Sequence, residues 1–342
     1  MKITTVGVDL AKTVFQVHGV DEQGKPVIRK RLNRNKVLVF FARLEPCLVG
    51  MEACAGAHYW ARELMVQGHT VKLMAPQFVK PYVKANKTDA ADAEAICEAV
   101  ARPNMRFVPI KNADQQAVLS LHRARAGFVK ARTAQANQIR GLLGEYGIAL
   151  PQGISHVARC IPDIVEDGER ELPEMFRRLL QCLRSYLLEL DIQVEELETQ
   201  INAWHRSNED SRRLAEIPGI GPLTASALVA SIGDAKSFNN GRQLAAWLGL
   251  VPRQHSSGGK ALLLGISKRG DTYLRALMIH GARSVVRVAE RKRSSTDKWT
   301  TEMGTRRHTN VVAVARANKN ARVVWALLAH QRTYDPAYQQ AA

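Results

Sequence analysis

A long run of apolar residues at heptad spacing is the feature that most limits what this chain can fold into. Between Pro173 and Trp204, steps of four and three alternate along Phe176, Leu180, Leu183, Leu187, Leu190, Val194, Leu197, Ile201 and Trp204. The pattern predicts one helix of about 48 Å with a coiled-coil seam. We favour a helical arm or a dimer element over a helix packed on its own domain, because the 3.5-residue period lasts for about four heptads.

A second helical segment, at 113–146, has few helix breakers and is a plausible antiparallel partner for the first. A looser stretch at 147–172 separates the two. The chain has 342 residues, which is typical of two or three domains. We therefore predict a domain at 1–110, a helical coiled-coil hairpin at 111–206, a small helical domain at 207–333 and a disordered tail at 334–342.

The first 110 residues predict an alternation of strands and helices. Three strand-like runs, at 3–9, 14–20 and 27–32, predict an antiparallel meander. Further strands are expected at 47–51 and 70–74, and helices at 34–44, 57–67, 76–85 and 89–101. The expected fold class is thus a mixed α/β sheet followed by an all-α remainder, of which the C-terminal third is expected to be short helices and loops.

Positive charge is concentrated near the C-terminal end. The formal net charge is +17, and between Val251 and Arg332 there are 17 Lys and Arg against 4 Asp and Glu. Such an excess favours a polyanionic partner, because each cation near a phosphate releases condensed counterions. The C-terminal domain is therefore predicted to bind nucleic acid.

The compartment is predicted from what the sequence does not contain. No apolar run approaches the length of a membrane span, and the residues after Met1 do not form the apolar segment of a signal peptide. The five cysteines are widely spaced and form no C-x-x-C pair. These features favour reduced thiols of a cytosolic protein, and they disfavour a disulfide scaffold or a structural zinc site.

Four acidic residues predict a metal site. Asp9 ends the first predicted strand, Glu52 follows the fourth, and Asp89 and Asp92 share one face of a predicted helix. Carboxylates gathered at one place repel one another unless cations lie between them, and Mg²⁺, with Mn²⁺ as an alternative, is the natural ion. Two such ions can hold the attacking and leaving oxygens of a phosphodiester. Singly, each acid could instead end a strand, favour a helix N-terminus or face solvent.

Two glycine-containing segments lie in the basic third of the chain. Ile217-Pro218-Gly219-Ile220-Gly221-Pro222 is typical of a helix-hairpin-helix, in which Gly219 and Gly221 let backbone N–H groups approach phosphates. Ser256-Ser257-Gly258-Gly259 has the composition of a flexible loop, and no local base is visible that would make a serine there a nucleophile. We predict further nucleic-acid contacts at Lys260, Lys268, Arg269 and Arg275.

The N-terminal order of strands, helices and acids resembles the RNase H-like fold, and within it the RuvC-type nuclease domain. That family places an Asp on the first strand, an acid on the fourth and acids on a later helix, as Asp9, Glu52, Asp89 and Asp92 stand here. The actin-like ATPases share the fold, but Leu10-Ala11-Lys12 replaces their phosphate loop and no G-x-x-x-x-G-K-[ST] motif occurs. Nucleotide hydrolysis is therefore disfavoured.

The C-terminal motifs resemble those of one transposase family, the bridge-RNA-guided recombinases of the insertion sequence one-ten family. They read Gly249-Leu250-Val251-Pro252, then Ser257-Gly258-Gly259-Lys260, then Gly265-Ile266-Ser267-Lys268-Arg269-Gly270 and Leu274-Arg275. The family's K-x-D-x-x-D motif is present as Lys87-Thr88-Asp89-Ala90-Ala91-Asp92. The resemblance covers residues 1–330.

The resemblance implies a mechanism as well as a fold. Such enzymes excise and insert their element through a covalent phosphoserine link, beside an Mg²⁺ site made by the D-E-D-D acids. The family's serine directly precedes a glycine, which selects Ser257 over Ser256. Family members form tetramers in which one subunit's RuvC-like domain and another's serine domain make the active site, and a structured guide RNA pairs with double-stranded target and donor DNA.

Three other functions stay open at this point. A metal-dependent endonuclease of the Holliday-junction type would use the acids to activate water, and Ser257 would be a loop residue. A non-catalytic nucleic-acid-binding protein would carry the acids for structural reasons. A sugar-kinase-like ATPase is the weakest of the three, because its phosphate loop is missing.

Overall fold

The structure is a computed structural model that describes residues 2–84, 88–169, 171–258, 260–291 and 298–336. The chain divides into two compact units, Met1–Ala113 and Asp114–Ala342. The helical middle and the C-terminal helices thus belong to one unit, where the sequence predicted two domains. Within the described residues, no helix combines the length and apolarity that crossing a membrane requires.

The first unit is built on one six-stranded mixed sheet. Its strands are β1 (Thr5–Leu10), β2 (Val14–Val20), β3 (Pro26–Asn33), β4 (Leu48–Glu52), β5 (Thr70–Met74) and β6 (Phe107–Val108). They lie in the order β3-β2-β1-β4-β5-β6. The pairs β1–β2, β2–β3 and β5–β6 are antiparallel, whereas β1–β4 and β4–β5 are parallel. The predicted meander and the mixed α/β sheet are confirmed.

Four helices accompany this sheet: α1 (Val37–Phe41), α2 (Ala57–Val66), α3 (Pro76–Val79) and α4 (Asp89–Val100). One face of the sheet buries Phe15, Val17 and Leu32 against Phe41 of α1 and Trp60 of α2. The other face lies under α4. The predicted helices at 34–44 and 76–85 are shorter than expected, each being one helical turn of α type joined to a 3₁₀ turn.

The second unit contains nine described helices and one hairpin. Its elements are α5 (Ala113–Gly144), α6 (Ile154–Glu166), α7 (Glu174–Ser207), α8 (Glu209–Ala215), α9 (Pro222–Ile232), α10 (Gly241–Trp247), β7 (Pro252–Ser257), β8 (Lys260–Ile266), α11 (Thr272–Arg291), α12 (Lys298–Gly304) and α13 (Thr309–His330). Two expectations were wrong. The stretch 147–172 contains α6, and the C-terminal third contains helices of 20 and 22 residues.

The heptad seam of α7 is buried inside its own chain. Helices α5 and α7 run antiparallel, since Arg125 Nε donates to Glu198 Oε1 at 2.8 Å and Arg132 Nη1 to Asp191 Oδ1 at 2.7 Å. Near one end of the pair, the seam residues Leu180 and Leu187 share a core with α5 and α6. The predicted antiparallel partner at 113–146 is therefore confirmed as α5. Of the favoured interpretation, a helical arm or a dimer element, the dimer element is not supported, because helices of the same chain cover the seam.

The C-terminal helices share a separate core. Helices α8, α9, α10, α11 and α13 all contribute to it, and its buried residues include Leu228, Leu244, Leu274, Met278 and Val324. Tyr334 packs against the same core, and its backbone N–H donates to Glu216 Oε2. Tyr334, the first residue of the predicted disordered tail, is thus part of the fold, and 337–342 lie outside the described residues.

Candidate functional site

The first two predicted acids lie at the ends of neighbouring parallel strands. Asp9 is in β1 and Glu52 is the last residue of β4. The register pairs Val8 with Met51, so that Asp9 and Glu52 are the next residues along each strand. Neighbouring strands lie about 4.8 Å apart. Asp9 and Glu52 are therefore direct neighbours at the edge of the sheet that is formed by the C-terminal ends of β1 and β4.

Two glycines show which face of the sheet carries the acids. A Cβ atom on Gly7 would lie 2.2 Å from the carbonyl oxygen of Ala93, and one on Gly50 would lie 2.7 Å from Cβ of Val100. Both positions therefore face α4. Because side chains alternate along a strand, Asp9 and Glu52, two residues further on, face the same side. The missing side chains let α4 lie directly on the sheet.

The other two acids are in the first turn of α4. Cys97 packs near Thr5 and Gly7, and Ala93 lies over Gly7, so α4 runs back along β1. Its N-terminal turn, with Asp89 exposed and Asp92 half-buried, therefore lies toward the Asp9 end of the strand. Thr88 caps the helix by accepting a hydrogen bond from Ala91 N at 3.2 Å.

The electrostatics of this edge are negative. Burial raises the pKa of the Cys54 thiol, and the charges of Glu52 and Asp9 raise it further. Both carboxylates therefore act on the same point, two residues beyond Glu52. Hard carboxylate oxygens are the donors that Mg²⁺ prefers.

The donor set fits a metal ion shared with a substrate. Among the described residues, no three His, Cys, Asp or Glu side chains lie close enough together to hold a metal by themselves. Mg²⁺ usually takes only one or two carboxylates and completes its shell with water and substrate phosphate. Asp9 and Glu52 meet that requirement, and Asp89 and Asp92 lie on the helix above them.

Ser257 lies at the tip of a β-hairpin. It ends β7 and pairs with Lys260, the first residue of β8 and three positions further along the chain. Gly258 has a φ of +57°, which favours glycine, whereas Gly259 lies outside the described residues. Every residue of β7 is exposed. The expected flexible loop is therefore a hairpin, which holds the serine hydroxyl in an accessible place.

The base of this hairpin is a tight backbone junction. A Cβ on Gly249 would lie 2.0 Å from the carbonyl oxygen of Arg269, and one on Gly270 would lie 1.9 Å from that of Trp247. Arg275 is buried, and its Nη1 donates to the carbonyl oxygens of Arg269 at 2.9 Å and Leu248 at 3.3 Å. These contacts favour a supporting role for Arg275 over the predicted phosphate contact.

The other predicted nucleic-acid contacts differ in exposure. Lys260, Lys268 and Arg269 are exposed. Gly219 has a φ of +89° and packs against Gly281 of α11, whereas Gly221 is exposed and precedes the first residue of α9. Of the two glycines, Gly221 is thus the one whose surroundings leave room for a phosphate.

Sequence reasoning missed two features. The first is the repeated pattern Gly7-x-Asp9 and Gly50-x-Glu52, a signal that was present in the sequence. The second is a buried polar network around His122 of α5. Ser226 Oγ donates to the Pro222 carbonyl at 2.7 Å and so accepts from His122 Nε2 at 3.1 Å, while Tyr273 Oη donates to His122 Nδ1 at 3.0 Å. A single buried histidine has no signal in the sequence.

Comparisons with known proteins cover both units. The family model described as "Transposase IS116/IS110/IS902 family" matches residues 211–297, and the IS110-type DEDD model, described as "Transposase", matches residues 6–148. The chain is 54% identical over 98% of its length to a "Probable family 20 transposase" of Pseudomonas aeruginosa, all of which it covers. It is 46% identical over 97% of its length to the "Transposase for insertion sequence element IS1111A" of Coxiella burnetii, covering 91% of it. It is 44% identical over 94% of its length to the "Transposase for insertion sequence element IS1328" of Yersinia enterocolitica, covering 96% of it.

These matches define the class of the protein as a transposase, an enzyme that binds, cuts and joins DNA. The chain belongs to the IS116/IS110/IS902 family of transposases. The family resemblance seen in the sequence is thereby confirmed.

Proposed function

We propose that this transposase cleaves DNA at the edge formed by Asp9 and Glu52 and rejoins it through a phosphoserine on Ser257. The observation that carries the proposal is the placement of Asp9 and Glu52 side by side, on one face, at the ends of parallel strands. Both side chains are half-buried. The family membership supplies the reaction class.

Asp9 and Glu52, together with the substrate phosphate, would hold Mg²⁺ or Mn²⁺, and Asp89 and Asp92 would lie beside this site on α4. The bound ion would neutralise charge on the reacting phosphate and lower the pKa of a coordinated hydroxyl. Asp9 and Glu52, on adjacent strands, would hold the ion between them, and the phosphate would be positioned through that ion. Asp92, half-buried in the first turn of α4, closes the site from above, and the exposed Asp89 contributes charge at its rim.

The covalent step conserves the phosphodiester. Ser257 Oγ attacks the phosphorus, the Oγ–P bond forms and the bond from phosphorus to a deoxyribose oxygen breaks. The hydroxyl proton leaves to solvent and the leaving oxygen gains one, so that a free DNA hydroxyl can later reverse the exchange without ATP. The exposed tip of the β7–β8 hairpin, with a glycine next to the serine, suits an approach in line with the breaking bond.

Guidance by a structured RNA and assembly into a tetramer complete the proposal. The basic C-terminal part supports a polyanionic partner. For assembly, α7 offers a second stripe, because Met175, Leu179, Cys182 and Tyr186 follow steps of four, three and four and are exposed. This outer stripe, and not the buried seam, would be the contact between copies. A transposase that works on chromosomal DNA would act in the bacterial cytoplasm.

The acid site is tested by Asp9→Asn and Glu52→Gln. Each change keeps the shape of the side chain and removes its charge, so cleavage in Mg²⁺ should fall by at least about a hundredfold while DNA and RNA binding persist. Glu22→Gln, at an exposed position of the turn after β2, is a matched control. Full cleavage by Asp9→Asn would refute the proposal.

The serine is tested by trapping. Incubation with nicked DNA should give a protein–DNA adduct that survives denaturant. Ser257→Ala should abolish the adduct and recombination, whereas Ser256→Ala, one residue away in the same strand, should be milder. An adduct formed by Ser257→Ala would move the nucleophile elsewhere, and cleavage by the wild type with no adduct would mean hydrolysis by activated water.

A further inference from the structure

Side chains of four strands form one row that ends in the acid site. The register of the sheet pairs Arg31 of β3 with Gln16 of β2, and Gln16 with Asp9 of β1. Glu52 is the next residue after the β1–β4 pairing of Val8 with Met51. Read across the strands, the row is Arg31, Gln16, Asp9 and Glu52. Cross-strand partners share a face, so all four side chains lie on the α4 side.

Lys30, the residue before Arg31, faces the opposite side of the sheet, as the alternation of side chains along β3 requires. Lys30 pairs with Val17, whose side chain belongs to the other face, and its Nζ lies 5.5 Å from the ring centre of Phe40. Arg29 pairs with His18 and is on the α4 side with Arg31. Two neighbouring cations of β3 thus point to opposite faces of the sheet.

A cleft lies along the β3–β2 part of the row. The residues that line it are Gln16, Val17, His18, Arg29, Lys30 and Arg31 of the sheet and Ala90, Ala91, Ala93 and Glu94 of α4. The charged end of Lys30 nevertheless lies over Phe40, on the other face. The small alanine side chains leave the space open beside the turn of α4 that carries Asp89 and Asp92. The cleft therefore leads from the edge strand β3 toward the acids.

The charge of the cleft suits a phosphate backbone. From Lys25 to Arg43 the chain has seven Lys and Arg and no Asp or Glu. Arg29 forms an ion pair with Glu94, with 3.7 Å between Nη2 and Oε2. No carboxylate of the described residues lies within ion-pair distance of Arg31. An arginine so placed has its guanidinium available to an anion, and arginine binds phosphate with two parallel hydrogen bonds.

We propose that Arg31, with the amide of Gln16, binds a phosphate of the DNA strand close to the one that is cut, so that the cleft delivers that strand to the acids. Arg31 is two strands from Asp9, about 10 Å across the sheet. A DNA strand rises about 3.4 Å per nucleotide, so the bound phosphate lies within about three nucleotides of the scissile one. The inference rests on the proposed role of Asp9 and Glu52.

The test is DNA binding without cleavage. The full chain is titrated in EDTA with fluorescent single-stranded DNA, duplex DNA and RNA of one sequence, at several salt concentrations. Arg31→Gln should weaken DNA binding about tenfold and lower the slope of log K against log salt by about 0.7 to 0.9. Arg31→Lys should restore the slope. Lys30→Gln, which removes the same charge from the other face, should have a much smaller effect.

The outcomes separate the alternatives. Equal losses for Arg31→Gln and Lys30→Gln would overturn the proposal, because they would indicate general attraction or charge placed to protect an edge strand. A loss confined to RNA would overturn it as well. The assay contains no divalent metal, so it does not depend on catalysis. The proposed role of Asp9 is tested separately, by cleavage in Mg²⁺. Normal cleavage by Asp9→Asn would refute the acid site and would leave the DNA-binding result for Arg31 unaffected.

Discussion

The buried histidine of the second unit predicts a dependence of stability on pH. Burial, with a smaller contribution from the nearby charge of Arg125, lowers the pKa of His122 from 6.5 to about 4. His122 lies in α5 and its two ring nitrogens bond to Tyr273 of α11 and Ser226 of α9. In the folded state the Tyr273 hydroxyl donates a hydrogen bond to His122 Nδ1. Protonation of Nδ1 would break this bond, so the folded state favours the neutral imidazole ring.

The sign and size follow from the two pKa values. Between pH 6.5 and pH 4 the unfolded chain binds a proton at His122 and the folded chain does not, so the free energy of unfolding falls as the pH falls. At 1.36 kcal/mol for each pKa unit, the loss is about 3 kcal/mol from pH 7 to pH 4. His122→Asn removes this loss. At pH 7 it leaves the hydroxyls of Tyr273 and Ser226 poorly paired, at a cost of about 3 kcal/mol.

The assay is urea denaturation of both proteins from pH 7 to pH 4. Tryptophan fluorescence reports mainly on the second unit, because four of the five tryptophans, Trp204, Trp247, Trp299 and Trp325, lie in it. The deficit of His122→Asn should be largest at pH 7 and should disappear toward pH 4. His280→Asn, at an exposed position of α11, is the control for removing a histidine. A deficit that stays constant with pH would refute the reasoning.

Three further predictions concern packing. Gly7→Ala would place a Cβ 2.2 Å from a carbonyl of α4, so it should cost about 3 kcal/mol and reduce cleavage as α4 shifts; normal thermal stability would contradict the close approach. Leu187→Asp buries a charge at a position with no exposure and should unfold the helices, whereas Tyr186→Asp, at a position 52% exposed, should keep the circular dichroism and weaken self-association in light scattering. An unchanged oligomer would remove the outer stripe from the proposal. Gly281→Ala would place a Cβ 1.8 Å from the carbonyl oxygen of Gly219 and should lower Tm by several degrees, about 2 to 4 °C for each kcal/mol lost; an unchanged melting curve would argue against that contact.

The acid site shows how far local pattern can lead. Strand periodicity was enough to place Asp9 and Glu52 at strand ends, because alternation along a strand is a property of neighbouring residues. That the two strands are parallel neighbours depends on the pairing of residues some forty positions apart. The role of Gly7 and Gly50 became visible only with α4 in place, since a glycine under a helix and a glycine in a turn look the same in a sequence.

The serine hairpin is a case where composition misled. Serine and glycine, the residue types of Ser256, Ser257 and the two glycines, are common in loops of every kind. The β-strands on either side were therefore not predicted. Pairing of Ser257 with Lys260 is a cross-strand interaction, and the junction of Gly249 with Arg269 joins segments twenty residues apart. Both are decided by contacts that no window of neighbouring residues contains.

The helical middle separates most clearly what the sequence alone determined from what the tertiary structure decided. The heptad repeat specified a long helix with one apolar stripe, because burial of that stripe drives the helix to form. It did not specify the partner, since a stripe of leucines is satisfied equally by a second copy and by helices of its own chain. Only the fold, which brings α5 and α6 onto Leu180 and Leu187, covers the seam from within and leaves a different face of α7 to the solvent.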